Sequence, residues 1–119
     1  MAVTITRLKQ RRDFLQAARK GHKAVERGVV MQVLPHAHTA QNTTQDANIR
    51  VGFTVSKKVG NAVQRNRAKR RLRAAAEMVI PSQVNGDADI VLIGRVHTLT
   101  RPFTALVADV SRALKKAGG

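Results

Sequence analysis

The apolar run ADIVLIG, residues 88 to 94, constrains the fold more than any other stretch of this chain. A strand with one face in solvent alternates apolar and polar residues, whereas a strand covered on both faces is apolar nearly throughout. The run has the length of a strand and follows the turn-forming residues NGD. It therefore predicts a central strand that is buried on both faces of its sheet.

Two helices are predicted near the ends of the chain. Residues 12 to 19, RDFLQAAR, contain apolar side chains at helical spacing, and Gly21 ends the segment. These side chains are Phe14, Leu15 and Ala18. Proline is tolerated at a helix start, so Pro102 marks the beginning of the second helix. Its apolar residues recur at i, i+3, i+4, i+7 and i+11: Phe103, Leu106, Val107, Val110 and Leu114.

Two further strands are predicted from composition and alternation. VVMQVL, residues 29 to 34, is rich in β-formers, and IRVGFTVS, residues 49 to 56, alternates apolar and polar side chains. We expect these strands to pair with each other through a long hairpin. Its loop, residues 35 to 48, is polar and without periodicity, which favours a flexible segment. Residues 1 to 11 are basic and irregular in pattern.

A third helix is expected before the central strand. Gly60 permits a turn, Asn61 can cap the first free amides, and the helix should extend to about Val79, before Pro81. The element order is then α-β-β-α-β-α, with a possible extra strand in residues 22 to 34. This order indicates an α+β fold, a single-domain α/β sandwich with helices packed on a small mixed β-sheet. The length of 119 residues suits one domain over residues 1 to 119.

Charge limits the function of the chain. There are 22 lysines and arginines against 7 acidic residues, a formal net charge of +15, which points to a polyanionic partner. The absence of cysteine excludes disulfides and thiolate zinc sites and fits a reducing cytoplasm. No apolar run reaches the roughly 20 residues of a membrane span. We therefore expect a cytoplasmic protein with no membrane partner.

Much of the charge lies in VQRNRAKRRLR, residues 63 to 73, within the third helix. At about 100° per residue, one side of this helix gathers the residues expected to face the core: Asn61, Ala68, Leu72, Ala75, Ala76 and Val79. About 60° to 160° round from Leu72 lie Asn66, Lys69, Arg70 and Arg73. Arg67 and Arg71 lie on the third side. Like charges at these spacings destabilise an isolated helix, so fold stability does not account for them.

Phosphate groups account for this pattern. Guanidinium groups bind phosphate oxygens bidentately, lysine adds a point charge, and a helix N-terminus adds free amides. The chain has no Trp or Tyr and three Phe, so base reading by aromatic platforms is disfavoured and backbone recognition is favoured. The residues alone leave open whether the nucleic acid is a duplex or a single strand.

No other group of residues indicates a catalytic or metal site. His36 and His38 lie in the predicted loop without a carboxylate pair, which favours exposed histidines over zinc ligands. Asp87 and Asp89 stand in the turn-rich NGDAD, and we interpret them as turn formers rather than nuclease carboxylates.

Residues 50 to 73, RVGFTVSKKVGNAVQRNRAKRRLR, resemble the signature of the bacterial ribonuclease P protein subunit, the small basic partner of a catalytic RNA that removes 5′ leaders from precursor tRNA. LKQRRDF near the start, VLIGR from Val91 and RPFTALVADVSRALKK at the end resemble that family too. The resemblance implies an endoribonuclease holoenzyme in which RNA hydrolyses the phosphodiester with magnesium. The protein would then be a non-catalytic monomer in a one-to-one ribonucleoprotein.

The resemblance also implies which residues contact the catalytic RNA. They are Arg65, Asn66 and Arg67 of the R-N-R motif, followed by Lys69, Arg70, Arg71 and Arg73, together with Lys57 and Lys58. The neutral amide of Asn66 would lie near a magnesium ion or its waters, where a cationic side chain would repel the metal.

A second implied surface is a cleft for the single-stranded 5′ leader, between the first helix and the sheet. Phe14 matches an aromatic residue of that cleft, and Thr54, Ser56, Lys57 and Lys58 lie on or near its floor. The chain departs from the family at Ala18 and Gln32, where relatives carry a second aromatic residue and a tyrosine. Stacking should therefore be weaker here. The family also implies a left-handed β-α-β crossover, although such units are right-handed in about 98% of cases.

A different function stays open from the residues alone. Ribosomal proteins and other structural RNA-binding proteins are also small, basic and poor in cysteine. Such a protein would comigrate with ribosomal subunits and would leave tRNA maturation unchanged.

Overall fold

The apolar run forms the central strand of a five-stranded sheet in the computed structural model, which describes residues 3 to 35, 47 to 83 and 87 to 118. The strands are β1 (Val3–Arg7), β2 (His22–Val25), β3 (Val29–Pro35), β4 (Ala47–Thr54) and β5 (Ala88–Gly94). Their order across the sheet is β1-β4-β5-β3-β2. Strand β5 pairs in parallel with β4 and antiparallel with β3, so the sheet is mixed, as predicted.

The described residues form four helices: α1 (Arg11–Lys20), α2 (Ala62–Gln83), α3 (Val96–Thr100) and α4 (Phe103–Gly118). Helices α2 and α4 pack on one face, where the larger core includes Leu72, Leu106, Ile90 and Leu92. Helix α1 packs on the other face, where Ala17 and Leu8 meet Val91. Successive β5 side chains point to opposite faces, which explains why this strand is apolar in both registers.

The predicted hairpin between residues 29 to 34 and 49 to 56 is wrong. Strands β3 and β4 exist, but β5 lies between them and hydrogen-bonds to both. Alternation identifies a strand but not its neighbour, and here the two edges of β5 are paired with β3 and β4. Of the predicted loop, Pro35 belongs to β3, residues 47 and 48 belong to β4, and residues 36 to 46 lie outside the described residues.

The basic N-terminal segment is not irregular throughout, because Val3–Arg7 forms β1. This strand pairs in parallel with β4, and Ile5 lies opposite Ile49. Its sequence VTITR alternates apolar and polar residues, but the pattern is short and lies beside the basic stretch that follows it. The possible extra strand in residues 22 to 34 is confirmed as β2, which pairs antiparallel with β3.

Helix α1 is confirmed, but its inward side differs from the prediction. Asp13 and Ala17 are buried, whereas Leu15 and Ala18 are exposed. The carboxylate of Asp13 can be buried on this side because Arg50 of β4 forms an ion pair with it.

The last turn of α2 extends past Pro81 to Gln83, beyond the predicted end near Val79. The missing N–H of Pro81 weakens this turn, but the buried side chains of Val79 and Ile80 hold it on the core. Ser82 Oγ also donates to the carbonyl of Val79 at 3.0 Å. The C-terminal helix is confirmed as α4, and the short helix α3 before it was not predicted. The parallel β4-α2-β5 unit is present, and its left-handed crossover stays a prediction.

Candidate nucleic-acid interface

Helix α2 begins with a reciprocal cap. Asn61 Oδ1 accepts the backbone N–H of Gln64 at 2.9 Å, and Gln64 Oε1 accepts the N–H of Asn61 at 2.8 Å. Gly60 precedes the cap with φ of 155°, and a Cβ atom there would overlap Gln64 Oε1. The cap was predicted from Asn61, but its expected place among the core-facing residues is wrong, because its side chain is exposed.

The sides of α2 otherwise divide as the helical spacing predicts. Its buried side chains are Ala68, Leu72, Ala75, Ala76, Val79 and Ile80. Away from them lies a group that we call the basic face: Arg67, Lys69, Arg70 and Arg73. Lys69 is half-buried and the three arginines are exposed, as is Asn66 among them. Within the described ranges, no carboxylate lies within ion-pair distance of the basic face. Its charge is therefore available to an external anion.

Two arginines of α2 instead hold parts of the fold. Arg71 is half-buried, and its Nε donates to the carbonyl of Thr98 at 2.9 Å. Its Nη2 donates to the carbonyl of Arg101. Arg65 Nη1 donates to the carbonyl of Gly60 at 2.8 Å. The family resemblance implies RNA contacts for both arginines, and the structure gives each an intramolecular contact that helical spacing did not predict.

One pocket lies where the basic face of α2 meets the end of β1, the strand β4 and the helix α1. The guanidinium of Arg73 lies 5.6 Å from the ring centroid of Phe53, a cation–π contact. Beside it is a cavity of about 330 Å³, which we call the basic pocket. It is lined by Arg7, Leu8, Lys9, Phe14, Phe53, Lys69 and Arg73. Phe14 of the predicted leader cleft and Lys69 of the predicted RNA helix therefore share one site.

The other predicted leader residues lie along the face of the sheet that α1 partly covers. The ring of Phe14 rests on Gly52, where a Cβ atom would lie 2.5 Å from it, so only glycine fits. Beyond α1, Thr54 lies beside Ile93 in the register, and Gln32 lies beside Val91. These pairings put Thr54 and Gln32 on the same face as Phe14.

The remaining predicted residues lie beside the two surfaces described above, the basic face of α2 and the sheet face that α1 partly covers. Ala18 is exposed on α1. Ser56, Lys57 and Lys58 follow β4 in the turn before α2, and all three are exposed. This turn lies between the sheet face that carries Thr54 and the start of α2, so it connects the two surfaces.

A partly buried ion-pair network that the sequence did not predict joins α1 to the sheet. Arg50 Nε and Nη2 each donate to Asp89 at 2.7 Å, and Nη1 donates to Asp13 at 3.3 Å. Hydrogen bonding to Asp89 is the main reason that the pKa of Arg50 is raised above its ordinary value. The prediction of Asp89 as a turn former is wrong, since it is fully buried within β5. A carboxylate inside an apolar run was the available signal, because a buried charge needs a partner.

A second polar cluster supports α2 from behind. Asp109 of α4 is fully buried, accepts the N–H of Gly28 at 3.1 Å, and pairs with Arg101 and Arg112. Thr98 Oγ1 donates to the carbonyl of Gly28 at 2.6 Å. Because Arg71 bonds to the carbonyl of Thr98, the β2–β3 turn, α3 and α2 are connected through hydrogen bonds.

Side chains suited to metal binding are not grouped in the described residues. In the described ranges, no three His, Cys, Asp or Glu side chains come close enough to hold a metal ion. Asn66 supplies an exposed neutral amide next to the basic face, which suits contact with the waters of a hydrated ion rather than a protein-built site. Within those ranges, too, no helix combines the length and apolarity needed to cross a bilayer.

A small α+β domain that presents the basic face next to the basic pocket has the features of a nucleic-acid-binding protein. Comparison with known proteins identifies the particular family. The family model for ribonuclease P matches residues 4 to 118, nearly the whole chain. The chain belongs to the family of ribonuclease P protein components, which favours this assignment over the ribosomal alternative.

Relatives and solved structures agree with this assignment. The ribonuclease P protein component of Paramagnetospirillum magneticum is 47% identical over 99% of this chain and 86% of its own length. That of Gluconacetobacter diazotrophicus is also 47% identical, over 99% of this chain and 96% of its own. The structure of the RNase P protein from Thermotoga maritima superposes with a TM-score of 0.75 at 26% identity, covering 95% of this chain and 98% of the other. The structure of the Staphylococcus aureus RNase P protein superposes with a TM-score of 0.71 at 28% identity, covering 92% of each chain.

Proposed function

We propose that the chain binds the catalytic RNA of ribonuclease P and the 5′ leader of precursor tRNA, and that the holoenzyme removes this leader. The observation that carries the proposal is the basic face of α2, which has no carboxylate partner in the described ranges. It begins at Arg67, the last residue of the R-N-R motif, in a chain that the family model matches over nearly its full length. Cations held on one side of a rigid helix are suited to neighbouring phosphates of a folded RNA.

Two surfaces divide the binding. The basic face, with Lys57 and Lys58, contacts the catalytic RNA. Arg65 and Arg71 support it, because their guanidinium groups already hold backbone carbonyls. The leader lies along the sheet face that α1 partly covers, against Phe14, Ala18, Gln32, Thr54 and Ser56, and it meets the basic face at the basic pocket, which Phe14 also lines. With one aromatic side chain among these five, polar contacts and charge supply most of the affinity for the leader.

Magnesium belongs to the RNA in this proposal and supplies the Lewis-acid chemistry of hydrolysis when bound. Asn66 accepts or donates hydrogen bonds to the water shell of such an ion without adding a competing charge. The protein is one monomer per RNA, acts in the cytoplasm, and positions substrate and RNA rather than cleaving the chain itself.

The test is reconstitution of precursor tRNA cleavage with the ribonuclease P RNA across a magnesium titration. The protein should lower the magnesium concentration needed for half-maximal cleavage, because it neutralises phosphates that magnesium must otherwise screen. An unchanged magnesium requirement, with the protein bound, contradicts the proposed function.

A further inference from the structure

A second groove lies beside the basic pocket, between the edge strand β1 and helix α2. Its volume is about 220 Å³, and we call it the Glu77 groove. Its apolar lining is formed by Ile5, Val51, Phe53, Ala76 and Ile80. Its polar lining is formed by Thr6, Arg7, Arg73 and Glu77. The groove therefore combines an apolar floor with a polar rim, as sites for small planar ligands do.

The groove and the basic pocket form one continuous site. Both are lined by Arg7, Phe53 and Arg73, and the contact of Arg73 with the Phe53 ring stands between them. The basic pocket adds Lys9 and Lys69 on its side. With the basic pocket, at about 330 Å³, the site reaches the range of roughly 300 to 1,000 Å³ that is typical of small-molecule sites. The groove has the apolar floor, Arg7 and Arg73 lie where the two parts meet, and Lys9 and Lys69 lie in the basic pocket alone.

Glu77 is the unexpected residue in this setting. It is the first acidic residue after Asp46 in the sequence, and it stands one turn beyond Arg73 on a helix that otherwise presents cations. Its side chain is exposed, and no described cation forms an ion pair with it. A carboxylate next to a phosphate-binding surface weakens the binding of an anionic ligand through repulsion, unless its two oxygens accept hydrogen bonds from that ligand.

A nucleotide matches this site, because its apolar base and its anionic phosphate are arranged like the apolar floor and the adjacent cations. Its base suits the apolar floor beside Phe53 and the guanidinium plane of Arg73, and its phosphate suits Arg7, Lys9 and Lys69. Among the four bases, guanine presents two adjacent donors on its Watson–Crick edge, N1–H and N2–H, which a carboxylate accepts together. Adenine, cytosine and uracil each place an acceptor beside their donor on that edge, which repels one carboxylate oxygen.

We propose that the Glu77 groove binds an unpaired guanine nucleotide, with Glu77 as the residue that selects the base. The inference rests on the proposed function. It names a nucleotide of the catalytic RNA, because the groove shares Arg73 with the basic face and is lined by residues of β1, β4 and α2, with none from α1. Phe14 of the leader surface lines the basic pocket but not the Glu77 groove.

The first experiment measures binding of short oligouridylates that carry one variable central base, by fluorescence anisotropy. A bidentate carboxylate contact gives roughly fivefold or greater preference for guanine over the other bases. The isosteric Glu77→Gln variant should lose this preference. Uniform tightening for all four bases in Glu77→Gln, or equal affinities for the four bases in the unaltered protein, overturns the guanine site.

A matched pair of variants tests the groove itself. Ile5 is 39% exposed and Leu15 is 47% exposed, so phenylalanine can be introduced at either position without disturbing the core. Ile5→Phe narrows the groove and should reduce the guanine preference to below about twofold, whereas Leu15→Phe, on the far side of α1, should leave it intact. Equal effects of the two substitutions overturn the assignment to this groove.

The third experiment locates the nucleotide in the holoenzyme. The chain has no cysteine, so Thr6→Cys gives a single thiol at the rim that carries a photo-crosslinker. Crosslinks should map to an unpaired guanine of the catalytic RNA. Crosslinks confined to the leader or to paired RNA overturn the assignment. If the base preference is absent while magnesium-sparing reconstitution is normal, this inference fails alone, whereas loss of reconstitution by the unaltered protein removes the proposed function as well.

Discussion

At the scale of residues, the two roles of arginine on α2 are separated by what each guanidinium touches. Spacing of about 100° per residue predicted the direction of Lys69, Arg70 and Arg73 and therefore most of the basic face. It did not predict that Arg71 reaches the carbonyls of Thr98 and Arg101, because those acceptors belong to α3 and to the residue that follows it, and the sequence did not indicate this helix. Direction follows from local geometry, whereas partners follow from the tertiary fold.

The basic face leads to a prediction for salt dependence. Arg67→Ala or Arg70→Ala should weaken binding to the catalytic RNA and reduce the slope of log affinity against log salt by roughly 0.7 to 0.9 for each phosphate that the variant no longer neutralises. Lys115→Ala on the exposed side of α4 is the control with the same charge change. Titrations at several salt concentrations measure the slope, and an unchanged slope in both arginine variants places those side chains off the RNA.

Asn66 should affect the metal rather than the binding. Asn66→Ala removes an uncharged hydrogen-bonding group, so affinity for RNA at saturating magnesium should stay within about twofold while the magnesium requirement for cleavage rises. Asn66→Arg should raise that requirement further, because an added cation repels the ion. Cleavage assays across a magnesium titration measure both, and an equal loss at every magnesium concentration contradicts the assignment.

At the scale of elements, the start of α2 should be the most sensitive point of the interface. Asn61→Ala removes the acceptor of the first-turn N–H, which should lower the free energy of unfolding by about 0.5 to 2 kcal/mol. Gln64→Ala removes the reciprocal bond, and the double variant should cost less than the sum because the two bonds form one cap. Urea denaturation measures these energies, and full additivity contradicts a shared cap.

The attachment of α4 to the β2–β3 turn predicts a dependence on pH. Glu26 pairs with Lys116 at 2.6 Å and Arg112 at 3.0 Å, and the hydrogen bond from Lys116 is the largest cause that lowers the pKa of Glu26 below its ordinary value of 4.5. The folded state thus binds this proton less readily than the unfolded state. The stabilisation is present above about pH 4.5 and is lost as pH falls through the lower pKa of the folded protein.

Glu26→Gln should therefore flatten the acid branch of the stability curve. Its midpoint in urea should lie below that of the unaltered protein at pH 7 and approach it as the pH falls through the lowered pKa of Glu26, where both side chains become neutral. A constant difference between the two proteins over this range assigns the effect to packing rather than to the ion pairs.

Elements were predicted more readily than their arrangement. The four long segments with strong periodicity, namely α1, β4, α2 and α4, are found close to their predicted positions. Strand β1 was missed although its sequence VTITR alternates, because the pattern spans only five residues beside a basic stretch. The β3–β4 pairing was wrong because partner choice depends on β5. Asp13, Arg50 and Asp89 are separated in sequence, so their ion pairs appear only once the sheet has formed.

At the scale of the whole molecule, the net charge of +15 opposes folding of the free protein. Sulfate should raise the midpoint of thermal unfolding, because an anion that binds the folded basic pocket and basic face stabilises that state. Sodium chloride at the same ionic strength is the control, since it screens charge without a tetrahedral dianion. A thermal melt in each salt measures the difference, and equal shifts show screening rather than site binding.

The position of β5 has a consequence for synthesis on the ribosome. The central strand begins at residue 88, after both of its neighbours in the sheet, so a growing chain holds β3 and β4 with open edges until most of the protein has been made. Exposed strand edges pair readily with other chains. The last quarter of the sequence thus closes the sheet. If a ribosome stalls before this part has been made, the released polypeptide is prone to aggregation and is not a partly active domain.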